Sequence, residues 1–276
     1  MILVTGETGQ LGYELKKLLP PGTVFLGREA LDLADAAEPR RLFEKYRFTA
    51  LVNTAAYTQV DQAEIEREKA LAINAKAPGI LSELCRKNGA RFVHFSTDYV
   101  FNGESSTPYR ETDPIDPINY YGQTKALGEK SVLDANPEAL VLRTSWVYSQ
   151  HGKNFVKTMA SLGRDRDELK VVNDQIGSPT WALDLARVTK LALETDLRGV
   201  YHYSGEGTCS WYDFACAIKE RLGFKARITP IPSSEFPTKA KRPRYSLLSK
   251  EKIKRDLGVT IPTWRESLDQ MLSSFT

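Results

Sequence analysis

The sequence predicts an α/β protein built on a doubly wound parallel sheet, and three observations carry that expectation. Short apolar and β-branched runs alternate with longer stretches of helical periodicity over roughly the first two hundred residues. Apolar residues stand at successive positions in those runs, the pattern of strands covered on both faces. The first of them ends in a glycine-rich turn that opens a helix, the beginning of a βα unit.

The first strand is expected at residues 1–5, and VTGETGQLG then places Gly6, Gly9 and Gly12 at the junction with a helix over 10–19. Glycines at such a junction permit a tight turn and a close backbone approach to a pyrophosphate. The helix supplies free N–H groups and the positive end of its dipole. The spacing is GxxGxxG and departs from the simplest GxGxxG fingerprint, so its position before a βα pattern carries the inference of nucleotide binding. Glu7 is expected to point away from the phosphates. The second strand, 24–26, ends in FLGREALDL. An acidic residue there suits a free ribose 2′-hydroxyl and an arginine suits a 2′-phosphate. Arg28 and Glu29 stand side by side, so the sequence argues both ways; NADPH is the expected cofactor, with NADH tolerated.

Strands at 50–53, 92–96 and 139–144 complete the expected sheet. Ligands of such a sheet sit beyond the carboxyl ends of its strands, and the fourth strand runs into FSTDYVFNG, which sets Thr97, Asp98 and Tyr99 there. In YYGQTK, Tyr121 and Lys125 are four apart and share a helix face. An ammonium beside a phenol favours the phenolate and is expected to lower the tyrosine pKa from about 10 toward working pH, as a general acid requires. Tyr120 has Thr124 at that interval, so only Tyr121 has a lysine partner.

Beyond Trp146 the βα rhythm loosens. KVVNDQIGSPT reads as a loop-rich return, 181–194 as a helix packing back, and 229–243 as a proline-punctuated segment. The expected division is a nucleotide-binding domain, 1–145 with 174–200 packed on it, and a smaller discontinuous substrate lobe, 146–173 with 201–276.

Composition excludes several classes. A formal charge of +3, from 38 basic and 35 acidic side chains scattered along the chain, implies no broad face for nucleic acid and is compatible with a small anionic ligand. Cys85, Cys209 and Cys216 are as dispersed as His94, His151 and His202, so neither a disulfide framework nor a metal knuckle is expected. A cytoplasmic location and a metal-free active site follow as expectations. No signal-peptide pattern or membrane-length apolar run is present in the sequence, so no membrane association is expected.

A glycine-rich first turn, a hydroxyl residue after the fourth strand and a YxxxK helix, in that order, resemble the extended short-chain dehydrogenase/reductase superfamily. NTAAYTQVDQAE, STDYVFNG, YYGQTKALGE, RTSWVYS, NDQIGSPT and KRPRYSLLS together are similar to the dTDP-4-dehydrorhamnose reductases. The resemblance implies a Rossmann-like fold and NAD(P)H-dependent reduction of the C4 keto group of dTDP-4-dehydro-L-rhamnose to dTDP-L-rhamnose. It implies that Thr97 and Tyr121 engage the carbonyl oxygen and that Lys125 also binds the nicotinamide ribose. By the same likeness Gln10, Leu11, Asp32, Leu33, Ala55, Ala56 and Tyr57 join the glycines and Arg28 at the cofactor. Thr97, Asp98, Tyr99 and Trp146 fall at the sugar nucleotide. Arg242 is expected at the diphosphate, which a guanidinium grips through paired donors. Trp181, Trp211 and Trp264 are expected as packing.

Related dehydratases carry an Asp–Glu pair after the threonine, whereas Asp98 is followed here by Tyr99, which argues against elimination. Two alternatives stay open: reduction of another dTDP-4-keto-6-deoxy sugar, and a non-catalytic role like that of the regulatory β subunit of methionine adenosyltransferase, which resembles these reductases. Some members of the family form a homodimer around Mg2+ held by glutamates of both subunits; the match leaves dimer and metal open for this chain.

Overall fold

Six parallel strands form the centre of the structure, a computed structural model that describes residues 1–273. They are β1 (Ile2–Thr5), β2 (Val24–Leu26), β3 (Ala50–Asn53), β4 (Arg91–Thr97), β5 (Leu140–Thr144) and β6 (Gly199–His202), in the spatial order β2-β1-β3-β4-β5-β6. Because the chain passes from β2 back across β1 to β3, the connections leave β1 and β3 toward opposite sides, and a crevice opens at that switch point.

Period-two alternation explains why apolar residues stand at successive positions in these strands. Val4, Val52, Val93, Leu140 and Leu142 face one core cluster, and Leu3, Leu51, Phe92 and Val141 face the other. Helices α1 (Gln10–Leu18) and α2 (Glu38–Lys45) cover opposite faces: Leu11 and Leu15 of α1 pack into the first cluster, Leu42 and Phe43 of α2 into the second. The second face is completed by α3 (Ala77–Lys87), through Leu81 and Cys85, and by Val132 of α4 (Tyr120–Ala135). The connection into α3 passes through a π-turn at Ala72–Lys76, a distortion frequent at functional sites.

Among the helices that follow are α5 (Phe155–Asp165), α6 (Ala182–Leu193), α7 (Trp211–Leu222) and α8 (Trp264–Ser273). Leu185, Val188 and Ala192 of α6 complete the first cluster beside α1. Around α5, α7 and α8 a separate core gathers Tyr148, Val156, Met159, Trp181, Phe214, Ile218, Trp264 and Leu268. It is bounded by a short parallel pair, Glu168–Val172 with Arg227–Ile231. A Ser210–Asp213 capping box starts α7, and Gly223 ends it at φ 67°.

Two features depart from the expected division. Tyr201 and His202 belong to the main sheet, paired with Leu142 and Arg143 of β5, so a boundary at 201 cuts through a strand. Ile253 and Ile261 pack into the first sheet cluster, so the chain crosses back to the nucleotide domain before α8 returns to the lobe core.

Candidate active site

A cleft of about 550 Å³ lies at the switch point, beyond the carboxyl ends of β1, β3 and β4. Its floor is the glycine turn. Gly6 sits at φ 78°, and a Cβ there would lie 2.6 Å from the Thr54 hydroxyl oxygen, so only glycine serves. At Gly12 a Cβ would come within 2.3 Å of the Gly6 carbonyl oxygen, so this glycine lets α1 close down on the turn and does not itself line the cleft. Gly9 caps α1 with no side-chain hydrogen bond, and the first turn holds no acidic residue, so its N–H groups stay available to an anion. Glu7 points away, as expected: Lys16 donates to it at 2.8 Å.

Gly6, Gly9, Gln10, Leu11, Arg28, Asp32, Leu33, Ala55, Ala56, Tyr57, Tyr121 and Lys125, twelve of the residues expected at the cofactor, line the cleft. Arg28 and Asp32 approach to 3.7 Å on its exposed rim. Tyr57 is held from behind by Asn74 of the π-turn, which accepts from Tyr57 N at 2.8 Å and donates to its carbonyl at 3.0 Å. Asn74 escaped sequence reasoning because its partner lies across a loop. Ser96 escaped it too: it is buried and lines the cleft, and its hydroxyl has no hydrogen-bond partner among the described residues.

Tyr121 lines the inner end of the cleft, and Thr97, at the end of β4, lies outside its lining. Asn119 positions the tyrosine by capping α4, accepting from Gly122 N at 2.8 Å, and the Thr97 hydroxyl is near enough to the phenol to oppose the rise of its pKa. Thr97 donates to Asp98 Oδ1 at 3.0 Å and accepts from Tyr99 N at 3.2 Å. Tyr99 packs edge-on against Tyr121, with centroids 5.8 Å apart. Asp98 is 2% exposed, and its Oδ2 makes no hydrogen bond of ordinary geometry; burial pushes its carboxyl up to about 6 against the pull of the Ser246 and Thr97 hydroxyls.

The expected lowering of Tyr121 is not what this arrangement produces. Burial pushes the phenol up to about 12, the Thr97 hydrogen bond opposes that rise, and the Asp98 charge adds to it. Spacing does put Lys125 on the same helix face, but its ammonium turns to β4, donating to the Phe95 carbonyl at 2.6 Å and standing 3.4 Å from His94 Nε2. Burial in turn lowers Lys125 to about 8, with Glu129 opposing.

Thr97, Asp98, Tyr99, Trp146 and Arg242, the residues expected at the sugar nucleotide, all lie outside the lining of this cleft. Trp146 adopts φ 47°, the one positive φ among described non-glycine residues, and its indole stacks on Trp211 at 3.6 Å. A bulky side chain held in the left-handed region marks local strain of the kind that concentrates at ligand sites. Arg242 places both Nη atoms on Asp61, at 2.8 and 2.6 Å, and Nη1 also donates to the Ala240 carbonyl. Its paired donors are thus turned toward a carboxylate at the start of the short helix Val60–Ala63.

A glycine-turn cleft lined by a tyrosine and a lysine of one helix, with a threonine beside the tyrosine, defines a nicotinamide-dependent oxidoreductase of the extended short-chain type. Residues 1–276 match the family model described as the RmlD substrate binding domain, and the chain belongs to that family. A dTDP-4-dehydrorhamnose reductase of Burkholderia thailandensis is 42% identical over 96% of this chain and 95% of its own length. A dTDP-4-keto-6-deoxy-D-glucose reductase of Streptomyces niveus is 39% identical over 97% of this chain and 95% of its own. The crystal structure of the Bacillus anthracis dTDP-4-dehydrorhamnose reductase in complex with NADP aligns with a TM-score of 0.96 at 36% identity, covering 99% of this chain and 98% of that one.

Proposed function

We propose that the protein reduces the C4 keto group of dTDP-4-dehydro-L-rhamnose, giving dTDP-L-rhamnose, with NADPH as the preferred reductant. The observation that carries this reading is the near-full-length likeness to reductases of that name, joined to a cleft on which Tyr121 and Lys125 converge beside Thr97. The residues present fit a dinucleotide: the left-handed turn at Gly6, the uncapped start of α1 and the cleft volume all suit a diphosphate-bridged ligand. Arg28 on the rim favours the 2′-phosphate of NADPH.

Bound NADPH supplies the hydride. The chain supplies the proton and the oxyanion partners. Tyr121 donates its phenolic proton to the developing C4 alkoxide, and the Thr97 hydroxyl swings its single proton from Asp98 to the same oxygen as charge accumulates there. Lys125, buried on the same face of α4 as Tyr121, anchors the nicotinamide ribose. Until substrate arrives, Asp98 holds the Thr97 hydroxyl in place through its hydrogen bond. Trp146, braced by Trp211, walls the sugar.

The test is oxidation of NADPH and NADH, in parallel, with enzymatically prepared dTDP-4-dehydro-L-rhamnose, the product sugar being identified by NMR. dTDP-L-rhamnose formed faster with NADPH supports the reading. Turnover only with the keto sugar of the D-gluco series would favour the activity named for the Streptomyces niveus relative. Tight NADPH binding without turnover of either sugar overturns the enzymatic reading.

A further inference from the structure

Behind Lys125 a file of buried polar side chains crosses the sheet, and no part of the mechanism above uses it. Thr5 of β1 donates to Asn53 Oδ1 of β3 at 2.6 Å, Asn53 Nδ2 stands 3.1 Å from His94 Nδ1 of β4, and His94 Nε2 stands 3.4 Å from Lys125 Nζ. All four residues are 2% exposed or less. Three polar residues in adjacent strand cores are costly unless every donor meets an acceptor, so their hydrogen-bond directions are linked.

In the arrangement present, Asn53 Nδ2 donates to His94 Nδ1, which leaves the imidazole proton on Nε2, facing Lys125. That proton needs an acceptor, and only a neutral amine offers one. Turning the Asn53 amide over reverses the whole file. Asn53 then donates to the Thr5 hydroxyl, His94 Nδ1–H donates to Asn53 Oδ1, and a bare Nε2 accepts from a Lys125 ammonium. The contacts among Asn53, His94 and Lys125 are therefore satisfied with the lysine in either charge state. Burial keeps His94 neutral, its pKa lowered well below the usual histidine range, so the ring answers by exchanging tautomers.

We propose that His94 is a positioning residue for Lys125, and that the Thr5–Asn53–His94 file reverses direction as the lysine gains or loses its proton. The proposal rests on Lys125 acting at the nicotinamide ribose as described above. The charged and titratable groups around the lysine are Glu129 one turn on in α4, Arg143 of β5 gripping that glutamate, Tyr121 one turn back, and Asp98 just past β4. The buried face of α3 brings only the Cys85 thiol, which burial pushes up and keeps neutral.

The sequence holds three histidines, so 15N-labelled imidazoles give few resonances, assigned with a His94→Gln variant. On raising pH through the Lys125 titration, His94 is expected to move its proton from Nδ1 to Nε2 without becoming charged. A proton on Nε2 at every pH overturns the proposal, and this reading needs no substrate. A second measurement follows NADPH affinity by fluorescence against pH. In His94→Phe the ammonium loses an acceptor, so the midpoint at which affinity falls is expected about one pH unit lower, a tenfold change in proton affinity. His94→Gln, which can still accept from the ammonium, is expected to restore it. An unshifted midpoint in folded His94→Phe overturns the proposal. Failure of the wild-type protein to reduce the keto sugar would fall on the proposed reaction and leave the tautomer result intact.

Discussion

Replacing Asp98 by asparagine should stabilise the protein at neutral pH while impairing it as a catalyst. The carboxyl is 2% exposed, and burial lifts its pKa from 3.8 to about 6. A raised carboxyl pKa means that the folded state binds a proton which the unfolded state has released between about pH 4 and 6, so stability falls as pH rises through that window. Above it the folded protein carries a buried carboxylate at a cost of about 3 kcal/mol, from about 1.36 kcal/mol per pKa unit. An amide has the same shape and no charge to bury. The advantage of Asp98→Asn should therefore be near zero at pH 4 and grow to about 3 kcal/mol by pH 7 to 8. Urea denaturation of both proteins across that range measures it, with equal slopes required so that the midpoints report stability. Turnover should fall in the same variant, since an amide is a weaker acceptor for the Thr97 hydroxyl than a carboxylate. A variant whose relative stability is the same at pH 4 and pH 8 would refute the argument, because the whole gain is assigned to a titrating charge.

Tyr121→Phe should lower kcat by about 10²- to 10⁴-fold and leave NADPH affinity unchanged; unaltered turnover removes Tyr121 from proton transfer. Breaking the buried pair in which Arg143 donates twice to Glu129, at 2.8 and 2.7 Å, should cost about 3–5 kcal/mol in Glu129→Leu, read by denaturation, and less when Arg143→Met is combined with it. Arg28→Ala should raise KM for NADPH about tenfold and leave NADH untouched, as loss of a charge-assisted contact to a 2′-phosphate implies. Asp61→Asn loosens the fork that now holds Arg242 and should lower KM for the dTDP sugar if that arginine serves the diphosphate; a changed melting temperature with an unchanged KM assigns Arg242 to strapping its loop onto the nucleotide domain.

What the sequence made legible was local. The glycine turn, the five apolar strands and the shared helix face of Tyr121 and Lys125 each rest on a period or spacing within a dozen or so residues. The sixth strand, Gly199–His202, was harder because it is four residues long, ends in a histidine, and acquires its place only by pairing with β5. The return of Ile253 and Ile261 to the sheet cluster was illegible for the same reason: apolar residues announce burial but not which of two cores receives them.

The candidate site divides along the same line. Which residues reach the cleft follows from strand ends and helix faces, and for the cofactor group that reasoning needed little more than topology. Which partners those residues choose is decided by side chains far away in sequence. Arg242 faces Asp61 across 181 positions, Trp146 lies on Trp211, and Lys125 bonds the Phe95 carbonyl. The phenol shows the consequence: four-residue spacing set the geometry of the Tyr121–Lys125 pair, but the direction of the tyrosine's pKa depended on how much water the surrounding strands exclude and on where the ammonium finds its acceptor. His94 was the one available clue to that acceptor. A histidine in the middle of RFVHFST interrupts an otherwise apolar strand, and a polar side chain in such a position must be answered by a neighbour. The neighbours are Asn53 and Lys125, on a different strand and on a helix, so the demand could be read from the sequence while its answer required the fold.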